Sequence, residues 1–223
     1  MPDTTLDIDD WYGNLSSRRV DLVGDYAGSE LFVVHGESLL LKCFEDPSLD
    51  FGDGFQLLHA VYLVESVLFN LKRRKCNFHV VFFDSQKNNC VPAGTSKADR
   101  NKFLLTRLII IHHLQRFLAD SQHDDVRVHI FHDIRSADFN DYLQASGAYF
   151  LMLHDGASPK TANQRSSEGE EYGKPSKGKS PEVLRLRTNV HVMLAIGYNV
   201  ALINGMSFQD TKVGSRTLCD TID

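Results

Sequence analysis

Five short apolar runs recur along the chain and alternate with longer segments of helical period. The runs span residues 31–35, 78–83, 126–131, 148–153 and 198–203. Continuous apolar runs of this length are typical of parallel strands covered on both faces. The helical segments span residues 54–76, 99–119, 138–146 and 181–196. This alternation predicts an α/β fold: a doubly wound, mostly parallel sheet of about five strands with helices on both faces.

Two details of the helical segments carry further expectations. Residues 99–119 have Leu and Ile on more than one face, which predicts a heavily buried helix. Pro181 suits the first turn of the last helix, and Gly147 suits the end of the one before it.

The ends of the chain and one internal segment differ from this core. Residues 1–28 are polar and contain a weak helical pattern at about 7–22. Residues 157–180 are dense in Ser, Gly, Lys, Glu and Pro, which predicts a disordered insertion. We therefore expect one domain at 29–210, followed by a C-terminal tail at 211–223.

Composition and missing motifs exclude several functions. The net charge of −5 is not that of a general nucleic-acid binder, and the four cysteines form no CxxC pair. No apolar stretch reaches the length of a membrane span, and the acidic start does not resemble a signal peptide, so we expect an intracellular chain. GxxxxGK[ST], GxGxxG and GxSxG are absent, which argues against a P-loop ATPase, a standard Rossmann enzyme and an α/β-hydrolase.

Acidic residues stand at or just beyond the ends of four apolar runs. They are Glu37, Asp84, Asp133 and Asp155. Open parallel sheets place ligands beyond the carboxyl ends of their strands, and carboxylates suit Mg²⁺ or Mn²⁺. Carboxylates from different elements can hold two such cations for phosphodiester hydrolysis. The pattern therefore predicts a divalent-metal site at this edge.

Each of these acids also has a simpler interpretation, because Asp commonly ends a strand by forming a turn. For Glu37 and Asp84 the two interpretations are equally supported. Asp155 precedes Gly156 in a turn-like pair, and for Asp133 the turn is favoured.

Three further acids lie within predicted helices. Asp138 and Asp141 are three residues apart and share a helical face, although Asp138 is equally suited to cap the helix. Glu65 lies among apolar residues, where it would either complete an acidic pocket or neutralise a basic neighbour.

Basic residues offer weaker candidates for RNA contact. The run Lys72, Arg73, Arg74 and Lys75 closes a predicted helix and is either a solvated helix end or a phosphate-binding patch. Together with Arg185 and Arg187, the segment at 157–180 would form either a phosphate-contacting arm or a tolerated surface loop.

Several segments carry a family resemblance. They are Gly24–Gly28, Glu30–Phe32, Gly36–Leu41, Gly54–Ala60 and Arg74–Asp84. With the order of strands, helices and acids, they resemble the PIN-like nuclease fold. More specifically, they resemble the N-terminal region of large Ski2-like DExD/H-box RNA helicases of the antiviral, interferon-inducible type and their fungal relatives. The similarity runs from about residue 20 to 155 and resumes at 198–206.

The resemblance implies a domain of a longer cytoplasmic helicase that acts on viral or aberrant RNA, although the chain itself contains no helicase motif. By analogy with PIN-like nucleases, Glu37 matches the first acid and Asp84 the second. Asp138 or Asp141 matches the helix acid, and Asp155 the late one. The chain departs from that pattern because Glu37 follows a glycine, where PIN nucleases carry Asp directly on the strand. The late motif is also reduced to His154-Asp155-Gly156.

Three hypotheses follow. The first is a PIN-like domain that acts on single-stranded RNA as a Mg²⁺- or Mn²⁺-dependent ribonuclease, through Glu37, Asp84, Asp141 and Asp155. The second is a catalytically degenerate PIN-like module that binds RNA or a protein partner, including the helicase core of the same polypeptide, without cleavage. The third is a domain that binds a nucleotide or another small ligand at the same sheet edge.

Overall fold

The structure is a computed structural model that describes residues 7–21, 25, 28–51, 54–120, 126–157, 180–203 and 211–214. The helices are α1 (Ile8–Gly13), α2 (Gly36–Phe44), α3 (Leu57–Arg73), α4 (Lys97–Asp120), α5 (Ala137–Ser146) and α6 (Pro181–Ala195), with a 3₁₀ helix at Asp84–Cys90. The strands are β1 (Ser17–Val20), β2 (Leu31–His35), β3 (Asn77–Phe83), β4 (Val128–Phe131), β5 (Phe150–Leu153), β6 (Asn199–Leu202) and β7 (Thr211–Gly214).

The strands form one sheet in the order β1-β7-β6-β5-β2-β3-β4. The five strands from β6 to β4 are mutually parallel, which confirms the predicted fold class. β7 runs antiparallel to β6, and β1 antiparallel to β7. The chain proceeds from β2 to β3 and β4 in one direction and then resumes at β5 on the other side of β2. This reversal creates a topological switch point between β2 and β5, where open α/β sheets bind their ligands.

Helices cover both faces of the sheet, as the apolar runs predicted. On one face, Val34, Val80 and Phe82 pack with residues of α2, α3 and α4, such as Leu40 and Leu68. The opposite face carries the alternate strand residues, because successive strand side chains point to opposite sides. There Val33, Val81 and Phe83 pack against α5 and α6.

Helix α2 was not predicted. Gly36 begins this helix directly after β2. Eight of the nine residues of α2 are buried, so its sequence lacks the polar face that marks most helices. The consequence for function is that Glu37 lies in the first turn of a buried helix rather than in a surface loop.

Strands β1 and β7 correct the predicted domain limits. Residues 17–20 were assigned to a polar N-terminal segment and residues 211–214 to a tail, yet both join the sheet. Each strand has four residues and little apolar character, and the two are recognisable only because they pair with each other at the edge. The helix expected at about 7–22 is accordingly shorter, at Ile8–Gly13.

Helix α4 corrects a second expectation. Phe103, Ile110 and Leu114 lie on its buried side, whereas Leu105 is 49% exposed and Leu108 is 60% exposed. The helix therefore buries one apolar face only, and its other Leu and Ile residues do not indicate full burial.

The ends of α5 and α6 follow the sequence signals. Gly147 ends α5 in the left-handed conformation, with a φ of 66°, and Pro181 begins α6. Ser136, not Asp138, caps α5, and its hydroxyl accepts a hydrogen bond from the Phe139 N–H. The insertion predicted at 157–180 lies, apart from its first and last residues, outside the described residues. None of the described helices has the length and apolar character that a membrane span needs.

Gly36 permits the close approach of α2 to β3, because a Cβ atom at this position would overlap the buried ring of Phe82. We expect Gly36→Ala to lower the free energy of unfolding by about 1–3 kcal/mol, the usual cost of overpacking a core. Urea denaturation measures the effect as a lower midpoint with an unchanged slope. Gly13→Ala is the matched control, since no atom lies within 4 Å of its added methyl group. Equal stability of the two variants would contradict the packing described here.

Candidate functional site

The carboxyl ends of β2 and β5 meet at the switch point, and a buried hydrogen bond joins them. Ser38, in the first turn of α2, accepts a hydrogen bond through Oγ from the backbone N–H of His154, at 3.0 Å. His154 and Asp155 directly follow β5, and Glu37 follows the last residue of β2 by two positions. The fold thus brings Glu37 and Asp155 to the same edge, which we call the carboxyl edge.

Glu37 is fully buried and held by Arg107 of α4. Its Oε1 accepts hydrogen bonds from Arg107 Nη2 at 2.6 Å and Arg107 Nε at 3.0 Å. The backbone N–H of Phe83, at the end of β3, also donates to this carboxylate, at 3.2 Å. Arg107 is only 2% exposed, and its Nη2 donates to the Phe83 carbonyl oxygen at 3.2 Å.

The same guanidinium lies between two of the four acids that the sequence predicted at strand ends. Arg107 Nη2 is 3.9 Å from the Asp84 carboxylate, whose side chain is 66% exposed at the start of the 3₁₀ helix. Arg107 therefore supplies an internal positive charge between Glu37 and Asp84. A divalent cation would have to displace this guanidinium to reach Glu37.

The ionisation of Glu37 depends on two opposing effects. Burial raises the pKa of this carboxyl group to about 7, because the charged form loses its hydration. The positive charge and hydrogen bonds of Arg107 act in the opposite direction and favour the carboxylate. Burial is the larger of the two effects, so Glu37 titrates near neutral pH and its ion pair with Arg107 forms as the pH rises through that range.

Asp155 is buried at 6% exposure and has partners of its own. The Tyr12 hydroxyl donates to Asp155 Oδ2 at 2.6 Å, and the Ala157 N–H donates to Oδ1 at 2.8 Å. Burial and the Asp155 charge both raise the pKa of Tyr12, so its hydroxyl keeps its proton. Both oxygens of Asp155 are therefore engaged within the chain.

Helix α1 covers Asp155 through contacts with α6. Arg187 of α6 donates from Nη1 to Asp9 at 2.8 Å, and its guanidinium lies 4.4 Å from the centre of the Tyr12 ring. The Trp11 ring meets His191 edge to face at 4.6 Å. Arg187 was predicted as a phosphate contact, but it is only 9% exposed. Its long guanidinium side chain pairs with Asp9 and stacks on the Tyr12 ring at the same time.

His35 joins the site to α6 through a chain of hydrogen bonds. Its Nδ1 accepts from the Ser38 N–H at 3.1 Å, so the proton is on Nε2, which donates to Gln86 Oε1 at 3.0 Å. Gln86 and Asn189 exchange two hydrogen bonds, at 3.0 and 2.7 Å. Burial lowers the pKa of His35 to about 4, so it is a neutral structural link and not an ion-pair partner of Glu37.

The remaining predicted acids do not join this arrangement. Asp133 forms the turn favoured by its sequence context, accepting from Ser85 Oγ at 2.5 Å and from the Arg135 N–H at 2.8 Å. Asp138 and Asp141 are exposed on α5. Glu65 is hydrogen-bonded to His113 of α4 at 2.7 Å. Within the described ranges, no three His, Cys, Asp or Glu residues are grouped so as to hold a metal ion.

The basic run Lys72–Lys75 lies at the opposite end of the sheet. It connects the end of α3 to the start of β3, so it lies at the amino-terminal ends of the strands, which we call the amino edge. Arg73, Arg74 and Lys75 are exposed. Arg185 is exposed on α6 and lies 3.6 Å from Glu182.

Sequence reasoning missed the partners that engage the acids, chiefly Arg107 and Tyr12. Arg107 had a signal, because it is a charge inside the apolar run Phe103–Ile111. The argument applied to Glu65, that a charge among apolar residues needs a partner, holds equally for Arg107. No such signal pointed to Tyr12, because it contacts Asp155 across a separation of 143 residues in the sequence.

The parallel five-strand core and the acids at its switch point define a PIN-like α/β domain. The sequence model of one such family, the PIN-like domain of the ATP-dependent RNA helicase DDX60, matches residues 13–164, more than half of the chain. The chain belongs to this family.

A curated human relative supports the assignment. A protein described as "Probable ATP-dependent RNA helicase DDX60-like" from Homo sapiens is 31% identical over 134 residues, which is 60% of this chain and 7% of the human protein. The chain thus spans a small part of that relative's length. No solved structure matches the chain.

The pKa of Glu37 predicts how stability changes with pH. It is raised in the folded state from an ordinary value of 4.5 to about 7, so between these values the folded chain holds a proton that the unfolded chain has lost. Stability from this group is therefore complete below the lower value and is lost as the pH rises through the higher one. We expect the free energy of unfolding, relative to Glu37→Gln, to fall by on the order of 3 kcal/mol across this window.

Urea denaturation of both proteins across the window measures this difference. The Glu37→Gln variant is the control, because it keeps the shape of the side chain and cannot titrate. A difference that stays constant or grows across the window would instead show that Arg107 keeps Glu37 ionised throughout, and it would overturn the prediction.

Proposed function

We propose that this chain is a PIN-like module that binds single-stranded RNA without cleaving it, as part of a longer DDX60-like helicase polypeptide. The observation that carries the proposal is the position of Arg107, which places a fixed positive charge between Glu37 and Asp84. Of the earlier hypotheses, this arrangement supports the catalytically degenerate module over the metal-dependent ribonuclease.

Electrostatics explains why Arg107 opposes metal binding. Two unit charges 4 Å apart interact by roughly 4 kcal/mol at an effective dielectric constant near 20. A divalent cation between Glu37 and Asp84 would be repelled by the guanidinium with comparable or greater energy. It would also have to replace the hydrogen bonds that Arg107 donates to Glu37. Mg²⁺ or Mn²⁺ therefore fits the residues at this edge poorly.

Asp155 adds a second obstacle. Its carboxylate oxygens accept hydrogen bonds from Tyr12 and Ala157, and α1 lies beside it. A metal ligand at this position would need an accessible oxygen and space beside it for a phosphate. Here hydrogen bonds from within the chain already engage both carboxylate oxygens.

The basic run Lys72–Lys75 supports RNA binding at the other edge. Exposed Lys and Arg side chains attract RNA phosphates without reading sequence, and they give a binding energy that falls with added salt. The human relative is described as a probable RNA helicase. In our proposal the module works in the cytoplasm on viral or aberrant RNA and lies beside the helicase core of the same polypeptide.

A cleavage assay tests the absence of nuclease activity. We expect the purified chain to leave labelled single-stranded RNA intact in Mn²⁺, with the same background as an Asp84→Asn variant. The reason is that Arg107 occupies the position where a cation would act. Cleavage by the wild-type chain that disappears in Asp84→Asn would show a working acidic site and refute the proposal. Cleavage in both samples would identify a contaminant, to be removed before the comparison is repeated.

A binding assay tests the edge on which RNA lies. We expect Arg73→Glu, at the amino edge, to weaken binding of a labelled oligouridine about tenfold and to reduce the dependence of log affinity on log salt by about 1. Fluorescence anisotropy at several salt concentrations provides both quantities. The matched control is Lys87→Glu, an exposed residue of the 3₁₀ helix at the carboxyl edge with the same change of charge. A larger loss in Lys87→Glu would place the RNA on the carboxyl edge.

A further inference from the structure

A cavity opens at the amino edge, between the starts of β2, β3 and β4 and the end of α5. Its volume is about 440 Å³, within the range of roughly 300–1,000 Å³ that small-molecule sites occupy. The side chains that give it chemical character are Asn77, His79, Arg127, His129, Tyr142 and Ser146.

Three rings form one wall of this cavity. His79 and His129 lie on adjacent strands and on the same face of the sheet, because Val81 is the partner of His129 in the β3–β4 register. Their ring centres are 5.4 Å apart. Tyr142 of α5 lies over both, with its ring centre 4.7 Å from His129, and its hydroxyl is hydrogen-bonded to His79 Nδ1 at 2.6 Å.

Polar groups surround these rings. His129 Nε2 is buried and has no hydrogen-bond partner in the part of the chain that the structure describes. Asn77 supplies an amide that can both donate and accept, and Arg127 is exposed at the rim. The cavity therefore offers aromatic surface, hydrogen-bonding groups and a positive charge side by side.

The histidines are neutral at physiological pH, so the positive charge of the cavity comes from arginine. Burial is the main reason that the pKa of His79 is lowered to about 4, and the charges of His129 and Arg127 contribute. Burial and Arg127 also lower the pKa of His129. Neutral rings present a π face to a flat ligand. The charge of Arg127 influences all three rings of the wall, because it also lowers the pKa of Tyr142, although burial raises that pKa by more.

We propose that this cavity binds one nucleotide of a single-stranded RNA, with the base against His129 and Tyr142 and the phosphate at Arg127. Unstacked bases bind proteins by stacking on aromatic side chains and by hydrogen bonding along their edges, which are the groups this cavity supplies. The proposal deepens the proposed RNA binding and rests on it for the source of the nucleotide.

The surroundings of the cavity favour an RNA strand over a free nucleotide. The basic run Lys72–Lys75 leads directly into Asn77 on the cavity wall. Phosphates on either side of a bound nucleotide would therefore meet positive side chains along the same edge. A free nucleotide would use Arg127 alone.

The test uses the complete 223-residue chain and three probes: uridine 5′-monophosphate, inorganic phosphate and a labelled oligouridine. NMR signals of the histidine rings report binding of the first two, and fluorescence anisotropy reports the third. We expect uridine monophosphate to shift the His79 and His129 signals, and phosphate alone to shift them at least tenfold more weakly. Tyr142→Leu should weaken both uridine ligands about tenfold, since a stacked base contributes about that factor.

Two further variants make the test specific. Tyr149→Leu makes the same substitution at a half-exposed tyrosine outside the cavity and should bind both uridine ligands like wild type. Arg127→Ala removes an exposed side chain, so it should preserve the fold while weakening both ligands severalfold. Circular dichroism of each variant confirms folding.

The outcomes separate this inference from the proposed function. If uridine monophosphate leaves the histidine signals unchanged, the inference is wrong even where oligouridine binds, and the basic run alone carries RNA binding. Equal shifts by phosphate and uridine monophosphate would show an anion site that ignores the base, which also overturns it. Binding of the mononucleotide without oligouridine would refute the RNA source and the proposed function together, while retaining a nucleotide site.

Discussion

The ion pair between Glu37 and Arg107 connects three elements of the fold. Glu37 belongs to α2, Arg107 to α4, and both also bond to the backbone of Phe83 at the end of β3. Burying two charges is costly, and the cost is offset only where every donor and acceptor finds a partner. The Phe83 N–H and carbonyl group supply two further partners for this pair. The position of α4 over the carboxyl edge therefore depends on a polar contact as well as on Phe103 and Ile110.

The same contact decides what the edge can do chemically. In a doubly wound fold, the switch point is where ligands bind, because strand ends and helix starts diverge there and leave a crevice. Here Arg107, Tyr12 and the His35–Gln86–Asn189 chain fill this region with hydrogen bonds internal to the protein. Groups that a nuclease would direct at a metal and a phosphate are directed at one another. Glu37 and Asp155, which the resemblance matched to acids of a PIN-like site, are bonded here to other groups of the same chain.

The sequence was a good guide to the sheet and a poorer one to the site, for a physical reason. Strands such as residues 78–83 are long, apolar and buried on both faces, so each is recognisable as an apolar run in a short stretch of sequence. Helix α2 is buried nearly all round and has no such pattern. The site depends on contacts across long separations, such as the 70 residues between Glu37 and Arg107, which no local pattern encodes. The shared edge of Glu37 and Asp155 could be predicted from the order of the strands. The positive charge of Arg107 between Glu37 and Asp84 could not, because it depends on where α4 packs.

The two edges of the sheet differ in the groups they expose, and this difference underlies the proposal that RNA binds at the amino edge. At the carboxyl edge, Glu37, Arg107 and Asp155 are buried and paired, so little of their electrostatic energy remains for a ligand. At the amino edge, Arg73 and Arg127 are exposed, and the neutral rings of His129 and Tyr142 lie at a cavity. Binding energy comes from groups that gain partners on association, not from groups that already have them. In our proposal, recognition at the amino edge therefore does not depend on chemistry at the carboxyl edge, because the two surfaces lie at opposite ends of the same parallel strands.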